Sequence, residues 1–180
     1  TQKVLAFYKP VGVTCTERDP HAEKKIMDMI RYPERLTYAG RLDKDSEGLI
    51  LLTNDGDLIN AMMRGANRHE KEYIVKTDRE ITPDFLEKMA KGIYLKDLDI
   101  TTRECEIEQI GKFTFRIVLT QGVNRQIRRM CEACGYRVKA LKRIRIMNIL
   151  LGDLKPGKWR EITGEELEQL QRDTGMLNRN

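Results

Sequence analysis

The sequence is poor in the features that mark several large protein classes. Four cysteines occur in 180 residues, Cys15, Cys105, Cys131 and Cys134, and their spacing gives no small disulfide framework. The two histidines, His21 and His69, lie in polar loops without ligand spacing, so neither reads as a metal ligand. No apolar stretch approaches the ~20 residues that span a bilayer. The short apolar run Val4 to Tyr8 meets charged Lys9 at once, so no secretory signal is expected. A phosphate loop and a GxGxxG turn are both missing, and no nucleotide cofactor is suggested. No repeat or low-complexity linker interrupts the chain. A soluble cytoplasmic protein without a membrane partner is the expectation. The first residue is Thr rather than Met, which suggests a fragment or a processed product.

What is present is charge. Lys and Arg number 33 against 28 Asp and Glu, a net charge of +5. That modest excess suits a polyanion partner, although the position of the charges says more than their total. The length allows one substantial domain or two small lobes, and burial of roughly 70% of the unfolded surface needs no metal or disulfide.

Hydrophobic periodicity outlines mixed elements. Val4 to Tyr8 reads as a strand ended by the turn Lys9-Pro10-Val11-Gly12. Ala22 to Arg31 reads as a short helix. Leu49 to Leu52 is a continuous apolar run, expected to be a strand buried on both faces. A helix with Leu58, Ala61 and Met62 on one face follows Asn54-Asp55-Gly56. Lys71 to Thr77 alternates as a strand, Thr82-Pro83 opens a helix that Gly92 ends, and Phe113, Phe115, Ile117 and Leu119 share one strand face. Asn124 to Cys134 is expected to be helical, Arg137 to Leu151 a strand, and Thr163-Gly164-Glu165-Glu166 a capping box for the last helix, after which the tail beyond Gly175 frays. Strands and helices do not alternate one for one, which favours an α+β fold.

Two motifs can carry chemistry. Gly40-Arg41-Leu42-Asp43 sets a carboxylate beside a cation on a glycine turn that leads into the buried strand. With Asp45 and Glu47 it gives three carboxylates at alternate positions, a donor set suited to Mg²⁺ and phosphodiester hydrolysis. Against a metal, Arg41 and Lys44 crowd the same loop, and a solvated turn is the plainer alternative. In the second motif, Gln121 to Met130, Ile127, Met130, Cys131 and Cys134 form one apolar helix face. Arg125, Arg128 and Arg129 form another, a planar-fork array suited to phosphate or carboxylate; an ordinary basic surface is the alternative. Tyr73 could stack on a nucleobase or fill a half-buried strand position. Cys131 and Cys134 read as core packing rather than a zinc or redox half-site.

Together these segments resemble the RsuA/RluB/RluE/RluF family of pseudouridine synthases. The likeness is carried by Lys9-Pro10-Val11-Gly12, by Gly40 to Leu49 running into Leu52-Thr53-Asn54-Asp55-Gly56, by Lys71-Glu72-Tyr73, by Asn124 to Met130 and by Gly157-Lys158-Trp159-Arg160, in the family's order. His69 to Tyr73 and Arg145 to Asn148 look most like the RluF branch, which modifies large-subunit ribosomal RNA. The resemblance implies a pseudouridine synthase fold: a mixed, mainly antiparallel central sheet with flanking helices, two lobes around an RNA-binding cleft, and residues 1–180 as one catalytic domain. It implies isomerisation of uridine to its C-glycoside, with base flipping and with neither metal nor cofactor. Asp43 matches the catalytic aspartate, Tyr73 the aromatic against the base, Arg128 the cation paired with the carboxylate, and Arg41 the Arg implicated in displacing the flipped base. Arg125, Arg129, Lys71 and Lys9 are the further RNA-binding cations. The expected partner is RNA, large-subunit ribosomal RNA or an assembly intermediate, met by a monomer. Most relatives carry a small RNA-binding domain ahead of the catalytic one, whereas this chain starts at the catalytic strand, so target choice is expected to change more than chemistry. A non-catalytic RNA-binding or ribosome-assembly module and a metal-dependent nuclease are the competing expectations.

Overall fold

The computed structural model describes residues 1–15, 26–64 and 68–176. His21, the first part of the helix expected at 22–31, and the last residues of the tail lie outside them. In chain order the elements are β1 (Val4–Lys9), α1 (Ile26–Met29), β2 (Thr37–Ala39), β3 (Glu47–Thr53), α2 (Gly56–Arg64), β4 (Lys71–Thr77), α3 (Pro83–Lys91), β5 (Tyr94–Leu95), β6 (Ile100–Thr101), β7 (Glu106–Gly111), β8 (Thr114–Leu119), α4 (Gln126–Ala133), β9 (Val138–Ile146), β10 (Ile149–Leu150), β11 (Trp159–Glu161) and α5 (Gly164–Asp173). The architecture is α+β with a mainly antiparallel sheet. The chain divides into two compact units, Thr1–Gly65 with Arg143–Asn180, and Ala66–Lys142.

In the first unit the strand order is β11-β1-β3, with β9 next after β3. β1 pairs antiparallel with both β11 and β3. Side chains alternate across a strand, so a strand covered on both faces must be apolar at every position. Val4 to Tyr8 of β1 and Leu49 to Leu52 of β3 meet that condition. Val4, Ala6, Leu49 and Leu51 enter one cluster, with Ile146, Ile162 and Leu170. Leu5, Phe7, Ile50 and Leu52 enter another, with Ile26, Leu36 and Leu42. The register agrees, since Phe7 faces Ile50 and Ala6 faces Leu51. Full burial of each large apolar side chain contributes ~1.5–3 kcal/mol, which makes β3 a rigid base for the loop before it. Gly48 opens β3 at φ +115°, and an added Cβ would lie 2.3 Å from the carbonyl oxygen of Arg143. Only glycine permits that close approach of two backbones.

In the second unit the order is β4-β8-β7, all antiparallel, with β9 next to β4. Val75, Phe115, Ile117 and Leu119 pack with Phe85 and Met89 of α3 and with Ile127, Met130 and Cys131 of α4. The helix start at α3 follows the sequence: Thr82 caps it by accepting from the Phe85 N–H at 3.1 Å, and Pro83 follows.

Three local expectations are corrected. Arg137 to Leu151 is not one strand: Met147, at φ +53°, turns the chain so that Ile149 pairs back on Ile146. The capping box at Thr163 does not form, because Thr163 makes no side-chain cap and Glu166 is taken by Arg160, at 2.7 and 2.9 Å. The third concerns the start of α4, which belongs to the site below.

Candidate active site

The Asp43 loop joins β2 to β3 in the first unit, and its main chain is held at every step. Gly40 turns it at φ +88°. The Gly40 carbonyl accepts from Arg143 Nη2 at 3.1 Å and the Arg41 carbonyl from Arg143 Nη1 at 3.3 Å. The Leu42 carbonyl accepts from Cys15 Sγ at 3.0 Å, and the Leu42 N–H donates back to the same sulfur at 3.3 Å. The Asp43 carbonyl accepts from the Ser46 N–H at 3.1 Å. The Lys44 carbonyl accepts from the Gly12 N–H at 2.8 Å and from Lys9 Nζ at 3.4 Å. Leu42 is buried in the β1/β3 cluster. Arg41, Lys44 and Asp45 are exposed and Asp43 is half-buried. The result is a fixed main chain that presents a carboxylate, with a cation two residues before it.

Lys9 is placed differently from expectation. It is fully buried, and its ammonium donates to the carbonyls of Pro10 and Val13, each at 2.7 Å, as well as to Lys44. With no exposed atom it cannot serve as a surface contact to RNA; it ties the Lys9–Val13 turn to the Asp43 loop. Burial lowers its pKa to about 8, against the opposing pull of Cys15, Asp45, Asp43 and Glu47. Burial also raises the Cys15 thiol, which keeps the proton that it donates to Leu42. Glu47 accepts from the Tyr8 hydroxyl, and burial together with that bond raises the Tyr8 phenol. Glu47 is thus engaged within the strand pair, and among the described residues no three His, Cys, Asp or Glu side chains come together as a metal-binding group.

The remaining candidates lie in the second unit. Lys71 and Tyr73 are half-buried at the start of β4, where Tyr73 pairs with Ile117 and packs on the cluster of Phe115 and Met130. Helix α4 buries Ile127, Met130 and Cys131, the face that the spacing predicts, with Cys134 packed beside them. Burial pushes the Cys131 thiol up to about 12, in keeping with a packing role. The helix starts later than expected. Arg125 is its N-cap, in the left-handed conformation at φ +52°, ψ +36°. It therefore does not share a helix face with Arg128 and Arg129, which are half-buried on α4; Arg125 is exposed just ahead of it. Arg129 is turned back onto the Asn124 carbonyl at 2.9 Å.

Residue patterns missed two members of this arrangement, Arg143 and Cys15. Arg143 is 2% exposed in the middle of an alternating strand, and that misplaced cation was the only local signal. Its partners lie 94 to 103 residues away in sequence.

A family model described as RNA pseudouridylate synthase matches residues 3–133, a stretch that includes Asp43, Tyr73 and Arg128. The dual-specificity RNA pseudouridine synthase RluF of Escherichia coli (strain K12) is 47% identical over 167 residues, which are 93% of this chain and 57% of that protein. Ribosomal large subunit pseudouridine synthase B of Vibrio cholerae serotype O1 is 34% identical over 178 residues, 94% of this chain and 54% of that protein. The chain thus spans little more than half the length of these curated relatives. A crystal structure of a pseudouridylate synthase matches with a TM-score of 0.87 and 29% identity, covering 94% of this chain and 74% of that one. By motif order, by fold and by descent, this chain belongs to the RNA pseudouridylate synthase family.

Proposed function

We propose that the chain isomerises uridine to pseudouridine in RNA, with Asp43 as the reacting carboxylate. One observation carries this: in a member of this family, the matching aspartate stands on a loop whose five successive carbonyls, Gly40 to Lys44, each have a donor. Catalysis by a carboxylate depends on where it is held, and a near-attack geometry is worth several orders of magnitude in rate.

The chemistry balances without an external reactant. The N1–C1′ bond of the nucleotide breaks, the uracil turns, C5 bonds to C1′, N1 gains a proton and C5 releases one. Asp43 acts at the sugar, as nucleophile or as base. In the RNA complex Tyr73 lies against the target base, a contact worth ~1–3 kcal/mol against the few kcal/mol that extrusion costs. In the RNA complex Arg128 serves as the cation that attends the reacting carboxylate. Arg41, exposed two residues before Asp43, takes the place of the flipped base. Arg125, Arg129 and Lys71 meet the RNA backbone. The substrate is large-subunit ribosomal RNA or an assembly intermediate, recognised at a loop or bulge, where bases can be splayed out. Likeness to RluF and to a large-subunit pseudouridine synthase supports that target. Residues 1–180 act as one catalytic domain, as a monomer, in the cytoplasm, with neither metal nor cofactor.

The test is tritium release from [5-³H]uridine-labelled large-subunit ribosomal RNA in EDTA, with wild type and Asp43→Asn after both are shown to be folded. Release by wild type and loss of at least about 10³-fold in the variant is expected. Equal release by both would remove Asp43 from the chemistry. Binding of the RNA without release would favour a non-catalytic RNA-binding module, and release that needs a divalent metal would overturn the metal-free mechanism.

A further inference from the structure

We propose that Arg143 is the positioning residue of this active site: its guanidinium clamps the main chain just before Asp43 to strand β3, so that the carboxylate is in place before RNA arrives. The inference rests on Asp43 being the catalytic carboxylate. Three donors of one buried side chain end on three backbone carbonyls. Nε reaches Leu49 in β3 at 2.8 Å, and Nη1 and Nη2 reach Arg41 and Gly40 at 3.3 and 3.1 Å. Leu49 is fully buried in a strand covered on both faces, so one end of the clamp is a packed core strand. The other end is Gly40, which makes the turn, and Arg41 after it.

The residue type fits the task. Guanidinium is planar and holds its donors in a fixed fork, whereas ammonium is a single point of charge on a flexible stem. Only the fork can set the spacing between β3 and two successive peptides at once. The Arg41–Leu42 peptide is then gripped from both ends, its carbonyl by Arg143 and its N–H by the sulfur of Cys15. Burying a cation costs free energy, and an apolar side chain of similar volume would fill the space but leave three carbonyls without this donor. A buried Arg that answers to loop carbonyls therefore points to a geometric requirement rather than to packing. Its backbone serves the same end, since the Arg143 carbonyl lies where a side chain at Gly48 would be.

The experiment is Arg143→Lys in the full chain, with two readouts. The first is single-turnover tritium release from [5-³H]uridine-labelled large-subunit ribosomal RNA over a range of enzyme concentration. The second is amide hydrogen exchange at Leu42 and Ser46. The expected result is a maximal rate lowered about 10- to 1000-fold, a half-saturating concentration changed less than about threefold, and exchange at both amides faster by at least about tenfold. A rate equal to wild type would overturn the proposal. So would unchanged exchange, or a loss of rate matched by an equal loss of binding or of folded protein. If Lys at 143 does not fold, Arg143→Gln, which keeps a donor without the charge, is measured in the same way. Wild type that releases no tritium would instead overturn the assignment of the reaction, and the catalytic half of the proposal with it; exchange would still decide whether Arg143 anchors the loop.

Discussion

Lys9 shows how a buried cation behaves in this fold. Its ammonium serves three carbonyls, and an unsatisfied buried acceptor costs ~1–3 kcal/mol. Lys9→Met is expected to lower stability by about 2 kcal/mol or more, although it removes a charge from an apolar place. The pH dependence has a definite sign. The folded pKa is lowered to about 8 from 10.5, so between those values the unfolded chain holds more protons than the folded one. Stability from this group therefore rises as pH increases from 8 to 10.5. The gap in stability between wild type and Lys9→Met should widen between pH 7.5 and pH 10 in denaturant titrations. A constant gap would mean that Lys9 titrates as a solvated lysine, and a narrowing gap that folding raises its pKa instead of lowering it.

Among the elements, α4 has a start that carries strain. Its N-cap Arg125 sits in a left-handed conformation, which costs most side chains ~1–2 kcal/mol and costs glycine nothing. Arg125→Gly is accordingly expected to leave stability unchanged or to raise it by up to about 1 kcal/mol, a Tm rise of up to about 4 °C. The same change should weaken RNA binding. A variant that melts higher but binds less tightly would locate the reason for an Arg at that position in the ligand rather than in the helix. A fall in Tm would show that Arg125 is held by the fold. Strands differ in the same way. β1 and β3 were legible from their apolar runs because both faces are covered. β2 was not, because three residues are too few to show a pattern, and β7 and β11 were not, because their residues are largely exposed and carry neither a clean alternation nor a run. The apolar face of α4 was legible to the residue, but its first residue was not: left-handed backbone is set by how the preceding turn arrives, and Arg gives no local sign of it.

For the whole molecule, under the proposed function, a net charge of +5 and exposed cations such as Arg41 and Arg125 are expected to make RNA affinity a function of salt. The logarithm of the association constant should fall linearly with the logarithm of KCl concentration, and Arg125→Gly should reduce that slope by about 1. A slope unaffected by the variant would remove Arg125 from the phosphate contacts. At this scale the family could be read from motif order and the α+β class from the irregular mixing of strands and helices, while the seat of the carboxylate could not. Arg143, Cys15 and Lys9 act on carbonyls, which every residue has, so their partners leave no trace in residue type. That choice of partner has a consequence for variation. A tether that holds the chain by its peptide groups is indifferent to the side chains between them. The exposed side chains of Lys44 and Asp45 can therefore be changed, in a library or by drift, while the seat beneath them keeps its shape.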